Sequence, residues 1–323
     1  MHKLLRSAAF AALLVAAPAQ ETSPAPIELR WHGKVGDVLR LRTTMSQTVE
    51  FSMMPQGMET ESSFVLRQEV RQVSPEGVGS LDVEYEAIRI DIEGPLSLSY
   101  DSTLAGEAAK QNSPELAAMC EPMLAASFHM TIEPSGQVLE ITGLKEALDR
   151  TFDQLKTPGM GEMFKQLFSE DSLRRMVEVN TFPAQPLSAG DTWPRVLEVQ
   201  APRLGTLKLA FENELQGVEK RGDQECARIA ISGSAGIESR DEDSPIPMKV
   251  SMDDSDIAGT MFIALDSGYL IESSLTTSMD LLMSFGENAG EEQEQEEGGM
   301  EMKLSLVTKQ QTVRIGADAP FFE

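Results

Sequence analysis

The chain has little of what most enzyme chemistry needs. Three histidines and two cysteines in 323 residues leave few groups for proton transfer near neutral pH, thiol chemistry or transition-metal ligation. No His/Cys cluster has the ligand spacing of a zinc site. Aromatic residues make up only 6%, thin provision for a sugar-binding platform. Positive charge is scarce: 27 Lys and Arg face 52 Asp and Glu, a formal net charge of -25. A surface of that sign repels phosphate backbones and anionic headgroups, which argues against nucleic-acid binding and polybasic membrane docking. No apolar run reaches the roughly 20 residues of a membrane-spanning helix. Gly159-x-Gly161 and Gly298-Gly299 lack the strand, helix and Lys that a phosphate cradle requires. Gly233-Ser234-Ala235-Gly236 falls short of a nucleophile elbow and sits inside a strand-like alternation.

What is present belongs to a folded, exported protein. Hydrophobic residues make up 41% and charged residues 24%, ordinary for a globular chain. Residues 1–19 read as a signal peptide, with His2, Lys3 and Arg6 before the apolar run Ala8–Ala17 and a small-x-small cleavage pattern at Ala17-Pro18-Ala19. The expected location is periplasmic or extracellular. An oxidising compartment permits Cys120 and Cys226 to pair, and two buried, unpaired thiols are the alternative.

The expected organisation is a flexible leader (20–30), a β-rich half (31–142), a helical insert (143–180), a linker (181–189) and a second β-rich half (190–323). Alternation marks strands at Val38–Phe51, Ser62–Val73 and Val78–Ile92, the last two closed by the turn Ser74-Pro75-Glu76-Gly77. In Val78–Ile92, Leu81, Val83, Tyr85 and Ala87 occupy one face, then Ile88, Ile90 and Ile92 the other. That switch of parity predicts a bulge, or a strand that leaves one sheet for another. A helix is expected over Pro114–Ala126, broken or kinked by Pro122. Amphipathic helices are expected at Leu144–Leu155, around Met163–Phe168 and around Leu173–Val177. Strands return at Trp193–Val199, Thr206–Val218, Gln224–Glu238, Ile257–Leu265, Tyr269–Met283 and Met300–Ile315. Residues 286–299 carry six Glu among Gly, Gln and Asn and read as a disordered acidic loop.

The halves carry matching marks. Gly36-Asp37 and Gly190-Asp191 each precede a strand, and Ser135-Gly136 and Ser267-Gly268 each sit in a later turn. The predicted fold class is therefore α+β: long antiparallel strands in a curved or half-barrel sheet, two related halves, with the mid-chain helices packed on it. Trp31, Gly36, Asp37, Gly190–Trp193 and the late Ser-Gly turns make the chain resemble a family of exported bacterial proteins catalogued only as a domain of unknown function. That resemblance implies no activity. More loosely, the arrangement is similar to the periplasmic lipoprotein-carrier fold, a likeness of fold alone.

No residue stands out as catalytic, cofactor-binding or metal-binding. His129 lies in an apolar strand-like stretch and reads as a structural imidazole, His32 as a surface residue. Asp253-Asp254-Ser255-Asp256 and Asp241-Glu242-Asp243 lack the interleaved spacing and central Gly of a calcium loop and read as solvated acidic loops. The 18 methionines cluster at Met53/Met54/Met58, Met160/Met163 and Met300/Met302. Thioethers take Cu(I), but no His or Cys accompanies them, and Met also fills cores and coats adaptable apolar grooves. The function expected is non-enzymatic: an exported binding or envelope-associated protein, its partner an apolar small molecule held between sheet and helices, or an envelope protein. A carboxylate-dependent hydrolase and a purely structural interaction module are the alternatives.

Overall fold

The computed structural model describes residues 25–53, 56–95, 97–143, 181–201, 205–238, 248–285 and 300–322. The expected signal peptide, insert helices and acidic loop 286–299, and the expected loop containing Asp241–Asp243, therefore lie outside the described residues.

The first half runs β1 (Val38–Phe51), β2 (Met58–Val73), β3 (Gly79–Glu93) and a short β4 (Leu98–Asp101). Helix α1 (Pro114–Leu124), β5 (Ser127–Ile132) and β6 (Val138–Thr142) follow. The second half is a meander of β7 (Thr192–Ala201), β8 (Gly205–Arg221), β9 (Gln224–Glu238), β10 (Met248–Ala264), β11 (Leu270–Phe285) and β12 (Met300–Ile315). All join one open antiparallel sheet in the order β6-β5-β3-β2-β1-β12-β11-β10-β9-β8-β7, with β4 beside the upper part of β3. The pairing of β1 with β12 joins the halves, and β6 and β7 are the free edges. Among the described residues the only helices are α1 and a short 3₁₀ turn at Ala108–Gln111. The class is thus mostly antiparallel β, and α+β holds only loosely.

The change of parity in β3 is a bulge. Val65 pairs with Ala87 and Leu66 with Tyr85, so Glu86 is the extra residue. One inserted residue exchanges the faces. Leu81, Val83 and Tyr85 below it therefore share the inner face with Ile88, Ile90 and Ile92 above it. Glu86 itself reaches the outer face, where its carboxylate accepts from Arg40 Nε at 2.5 Å. Arg40 also donates to the carbonyls of Gly316 and Ala317, at 2.9 and 2.7 Å. Its guanidinium lies 5.1 Å from the Phe321 ring. The C-terminal segment is in this way strapped across the outside of the first half, where Val65 and Ala87 are fully buried.

Pro122 does not break α1 but sits inside its last turn, and the helix ends two residues later at Leu124. Leu116 and Cys120 of α1 pack with Ile88 and Tyr100, so the helix covers the inner face of β2–β4. Cys226 is buried in β9, in the other half of the sheet, and both cysteines are free. The alternative of two buried thiols holds. Burial pushes the Cys120 thiol up to about 12 and raises Cys226 as well, so neither forms a ready thiolate.

Both halves are anchored at one narrow end, by the same device. Gly36 and Gly190 have φ of 91° and 92°, the left-handed region that glycine enters without strain. Gly36 N–H donates to the Val70 carbonyl at 2.9 Å, and Gly190 N–H to that of Leu215 at 2.7 Å. Asp37 accepts from Lys34 N–H at 2.9 Å as Asp191 accepts from Ser188 N–H at 2.7 Å. The Ser-Gly turns also correspond, joining β5 to β6 and β10 to β11. β1-β2-β3-β5-β6 and β7-β8-β9-β10-β11 are therefore built alike, with β4 and β12 as the additions.

Three expectations need correcting here. The leader, expected to be flexible to residue 30, is docked from Ile27 onward: Ile27 bridges Leu187, and Leu29 is 2% exposed. The linker 181–189 is also part of the core, through Phe182 and Leu187. In both, enough apolar surface is buried to offset the ordering of the chain. Asp253–Asp256 are not a loop but lie within β10, whose alternation begins at Met248. A bulge at Asp253 hid its period, and Asp253 faces Lys303 at 3.6 Å.

Trp31 closes the narrow end. A Cβ on Gly33 or Gly79 would fall 2.2 or 2.1 Å from its ring, so these glycines make its slot. Tyr269 meets Trp31 edge-on at 6.3 Å and donates its hydroxyl proton to Asp37 Oδ2 at 2.8 Å. Trp31 N–H reaches the Pro134 carbonyl and His32 N–H that of Ser267, both at 2.8 Å. The leader thus ties the two Ser-Gly turns together.

Candidate functional site

Cross-strand partners in an antiparallel sheet point to the same side, so the register sorts every strand into faces. At the narrow end the inner face is core: Leu215, Ala227, Ile229, Met261 and Ile263 pack with Leu29, Leu187 and Trp193. At mid-height β1, β11 and β12 carry a polar seam on it, made of Gln47, Gln310, Thr277 and Thr308. Toward the wide end the face becomes apolar again. Leu197, Leu207 and Leu209 line it from β7 and β8, and Ile237 and Met252 from β9 and β10. Met279, Leu281, Met283, Met302, Leu304 and Leu306 line it from β11 and β12. All of these are only half-buried. Among the described residues no element of structure is assigned over them.

The outer positions of the same strands are mostly polar, with Val196, Leu282 and Val307 as exceptions. Lys208, Glu212, Asp254, Asp256, Ser274, Thr276, Ser278, Asp280, Lys303 and Lys309 alternate with the apolar set. Apolar residues on one side and charge on the other are what a sheet needs to keep a dry surface facing a hollow and a wet one facing solvent. Between the basal core and the wide end, Arg195 is the one charged side chain that the register puts on the inner face of β7–β12, among the described residues. Its guanidinium lies 5.9 Å from the Phe211 ring.

The residues of interest in the sequence do not converge. His129 is on the outside of β5, 61% exposed, and pairs with Asp82, which also accepts from Arg71 Nε at 2.5 Å. It belongs to a ladder with Arg67, Glu69 and Glu84. Burial opposes the charged form of Asp82, but Arg71 and His129 outweigh it and lower its pKa. His32 is exposed at the narrow end. A cleft of about 520 Å³ lies on the outer face of the first half, lined by Arg42, Glu61, Arg89, Asp91 and Phe322 among others. Glu61 and Asp91 are cross-strand partners there, and Arg89 is held by Asp101 at 2.6 Å. A hydrolase using carboxylates needs an acid whose protonated form is favoured. Every described carboxylate with a displaced pKa is displaced downward: Glu69, Glu76, Asp82, Asp101 and Asp280.

The sequence profile of a family of unknown function (DUF6263) matches residues 76–270, from the β2–β3 turn to the start of β11. The chain belongs to that family. The match agrees with the resemblance read from Gly190–Trp193 and the Ser-Gly turns. No curated protein matches this member of DUF6263. Among solved structures it is similar to lipovitellin, described for its lipid–protein interactions, at 9% identity and a TM-score of 0.43. That match covers 89% of this chain and 26% of the lipovitellin chain. It is also similar to OccK5 of Pseudomonas aeruginosa at 7% identity and a TM-score of 0.24, over 88% of this chain and 100% of that one. Likeness at these scores carries no argument about fold or ligand.

The wide-end surface was only partly legible in advance. Met and Leu at alternate positions announced an apolar face. Which positions would stay partly exposed depends on what packs over them, which strand patterns do not encode.

Proposed function

We propose that this DUF6263 protein is an exported, non-enzymatic binding protein whose curved sheet holds an apolar ligand against the wide-end inner face of β7–β12. One observation carries the reading: Leu207, Leu209, Met279, Leu281, Met283, Leu304 and Leu306 share one face and stay half-buried. An apolar surface of this extent left in contact with water is costly, at about 25 cal/mol per Å², and a monomer rarely keeps one without use. Methionine suits the role because its flexible thioether adapts to ligands of differing shape. The signal peptide supports a location outside the cytoplasm, where apolar molecules need a carrier across water.

Native mass spectrometry of the protein purified from its own host, followed by solvent extraction, tests the reading. A co-purifying apolar molecule that is lost in Leu281→Asp is the expected result. Protein that carries nothing, and that takes up no apolar probe, overturns it.

A further inference from the structure

The apolar face of β11 and β12 starts from a seam of uncharged polar side chains. Gln47 of β1, Thr308 of β12 and Thr277 of β11 stand side by side on one rung. Thr60 of β2 lies beyond Gln47, and Gln310 is one inner position closer to the narrow end. All five are partly exposed. Nearer the narrow end, Thr43 and Thr312 satisfy each other, hydroxyl to hydroxyl at 2.9 Å. The seam is not closed in that way. The Gln47 amide reaches Thr308 Oγ1 only at 3.5 Å, and neither Thr277 nor Gln310 makes a side-chain hydrogen bond among the described residues. Hydroxyls and amides donate and accept alike, so the seam can bond any neutral oxygen laid on it.

No charge stands beside it. From the seam to the wide end, the inner positions of β1, β11 and β12 are apolar, from Val49 and Phe51 to Met283 and Met302. Arg314, toward the narrow end, lies 5.9 Å from the Tyr269 ring. Arg195 is four strands from Thr277, at the sheet edge, roughly 19 Å away at about 4.8 Å per strand, and is already engaged.

We propose that the ligand is an uncharged amphiphile, a long-chain alcohol or ester, whose oxygen lies on this seam. Its hydrocarbon chain would run along β11 and β12 toward the wide end. This rests on the reading of the wide-end face as a ligand surface. A carboxylate or phosphate on the seam would exchange water for neutral partners alone, which disfavours its charged form. A hydroxyl or an ester carbonyl meets no such penalty. From Thr277 to Met283, both in β11, a strand rising about 3.3 Å per residue spans roughly 20 Å, longer than an extended dodecyl chain.

Calorimetric titration of the full chain at pH 8 with 1-dodecanol and with laurate, which share a chain length and differ in charge, tests the class. Dodecanol is expected to bind at least about tenfold tighter. Any apolar surface would favour it to some degree, so two variants test the seam itself. Gln310→Lys places an ammonium on the seam and should reverse the order, with laurate the tighter ligand. Thr277→Val keeps the shape and removes the hydroxyl; it should weaken dodecanol about threefold and leave 1-dodecene unchanged. Laurate binding the native chain as tightly as dodecanol, or an order that Gln310→Lys does not change, overturns the seam assignment and leaves the apolar surface standing. Failure of dodecanol, laurate and dodecene alike overturns the surface and the seam together. Unchanged circular dichroism in each variant keeps a folding defect from mimicking either result.

Discussion

The two flanks of the sheet are built to one plan and finished differently. On the first, α1 lies over β2–β4 and takes Ile88 and Tyr100 out of water, at 0% and 4% exposure. On the second, the rung of Ile88 ends in the buried Met261, Ile229 and Leu215, and beyond it the inner face keeps Leu209, Leu281 and Leu306 only partly buried. Both flanks alternate apolar and polar residues equally well, so alternation reports which way a side chain points and not whether anything covers it. An apolar face that folding leaves half-open gains little stability from its leucines and methionines. Its composition is better explained by what it meets than by what it holds up.

The contrast can be broken by stability measurements. Ile88→Ala opens a cavity under α1 and is expected to cost about 2–5 kcal/mol, read from urea denaturation. Leu209→Ala on the other flank should cost under about 1 kcal/mol, because its atoms are still partly hydrated in the fold. Equal losses would make the second flank ordinary core. Leu281→Asp sharpens the comparison further. On a partly exposed ligand surface it should leave the urea midpoint nearly unchanged while reducing uptake of an apolar probe at least about tenfold.

Much of this fold is legible in the residues because strand length and turn chemistry are local. β1, β9 and β12 run between the very residues their alternation marks, and the Gly-Asp and Ser-Gly signals mark turns of matching geometry in both halves. What sequence reasoning missed is non-local. The leader looked mobile because its prolines and polar residues outnumber Ile27 and Leu29, yet those two find partners far along the chain, in Leu187 and in a basal core that reaches Ile263. The start of β10 was missed because the bulge at Asp253 breaks its period.

Smaller effects test how the flanks are tied together. Tyr269 belongs to the second half, and its hydroxyl donates to Asp37 in the first. The corresponding Asp191 is bonded by Ser188 N–H in the same way as Asp37 by Lys34 N–H. Tyr269→Phe should therefore cost about 1–2 kcal/mol by leaving a partly buried carboxylate one bond short. Weakening of only the first-half anchor, seen as faster amide exchange at Gly36 and Val70 than at Gly190 and Leu215, is the expected pattern. Equal exchange at both would show that Tyr269 does not distinguish them.

Acid should also act unevenly, with the smallest effect. Burial opposes ionisation of Asp82 and Asp101 but is outweighed, by Arg71 and His129 at the first and by Thr103 and Arg89 at the second. Hydrogen bonding from Arg67 lowers Glu69 nearby. All three folded-state pKa values are thus depressed. Each carboxylate binds protons less readily folded than unfolded, so its contribution is complete above about pH 4–5 and fades as pH falls through the folded values. These pairs lie on the outside of the first flank, hydrated, and each contributes little. On the second flank the corresponding case is Asp280, lowered by Ser305 and Lys303. Lowering pH from 7 to 3 should reduce the urea midpoint modestly, and Arg71→Ala should reduce it at pH 7 but much less at pH 3. A variant that loses as much at pH 3 as at pH 7 would show that Arg71 acts through packing rather than through its charge.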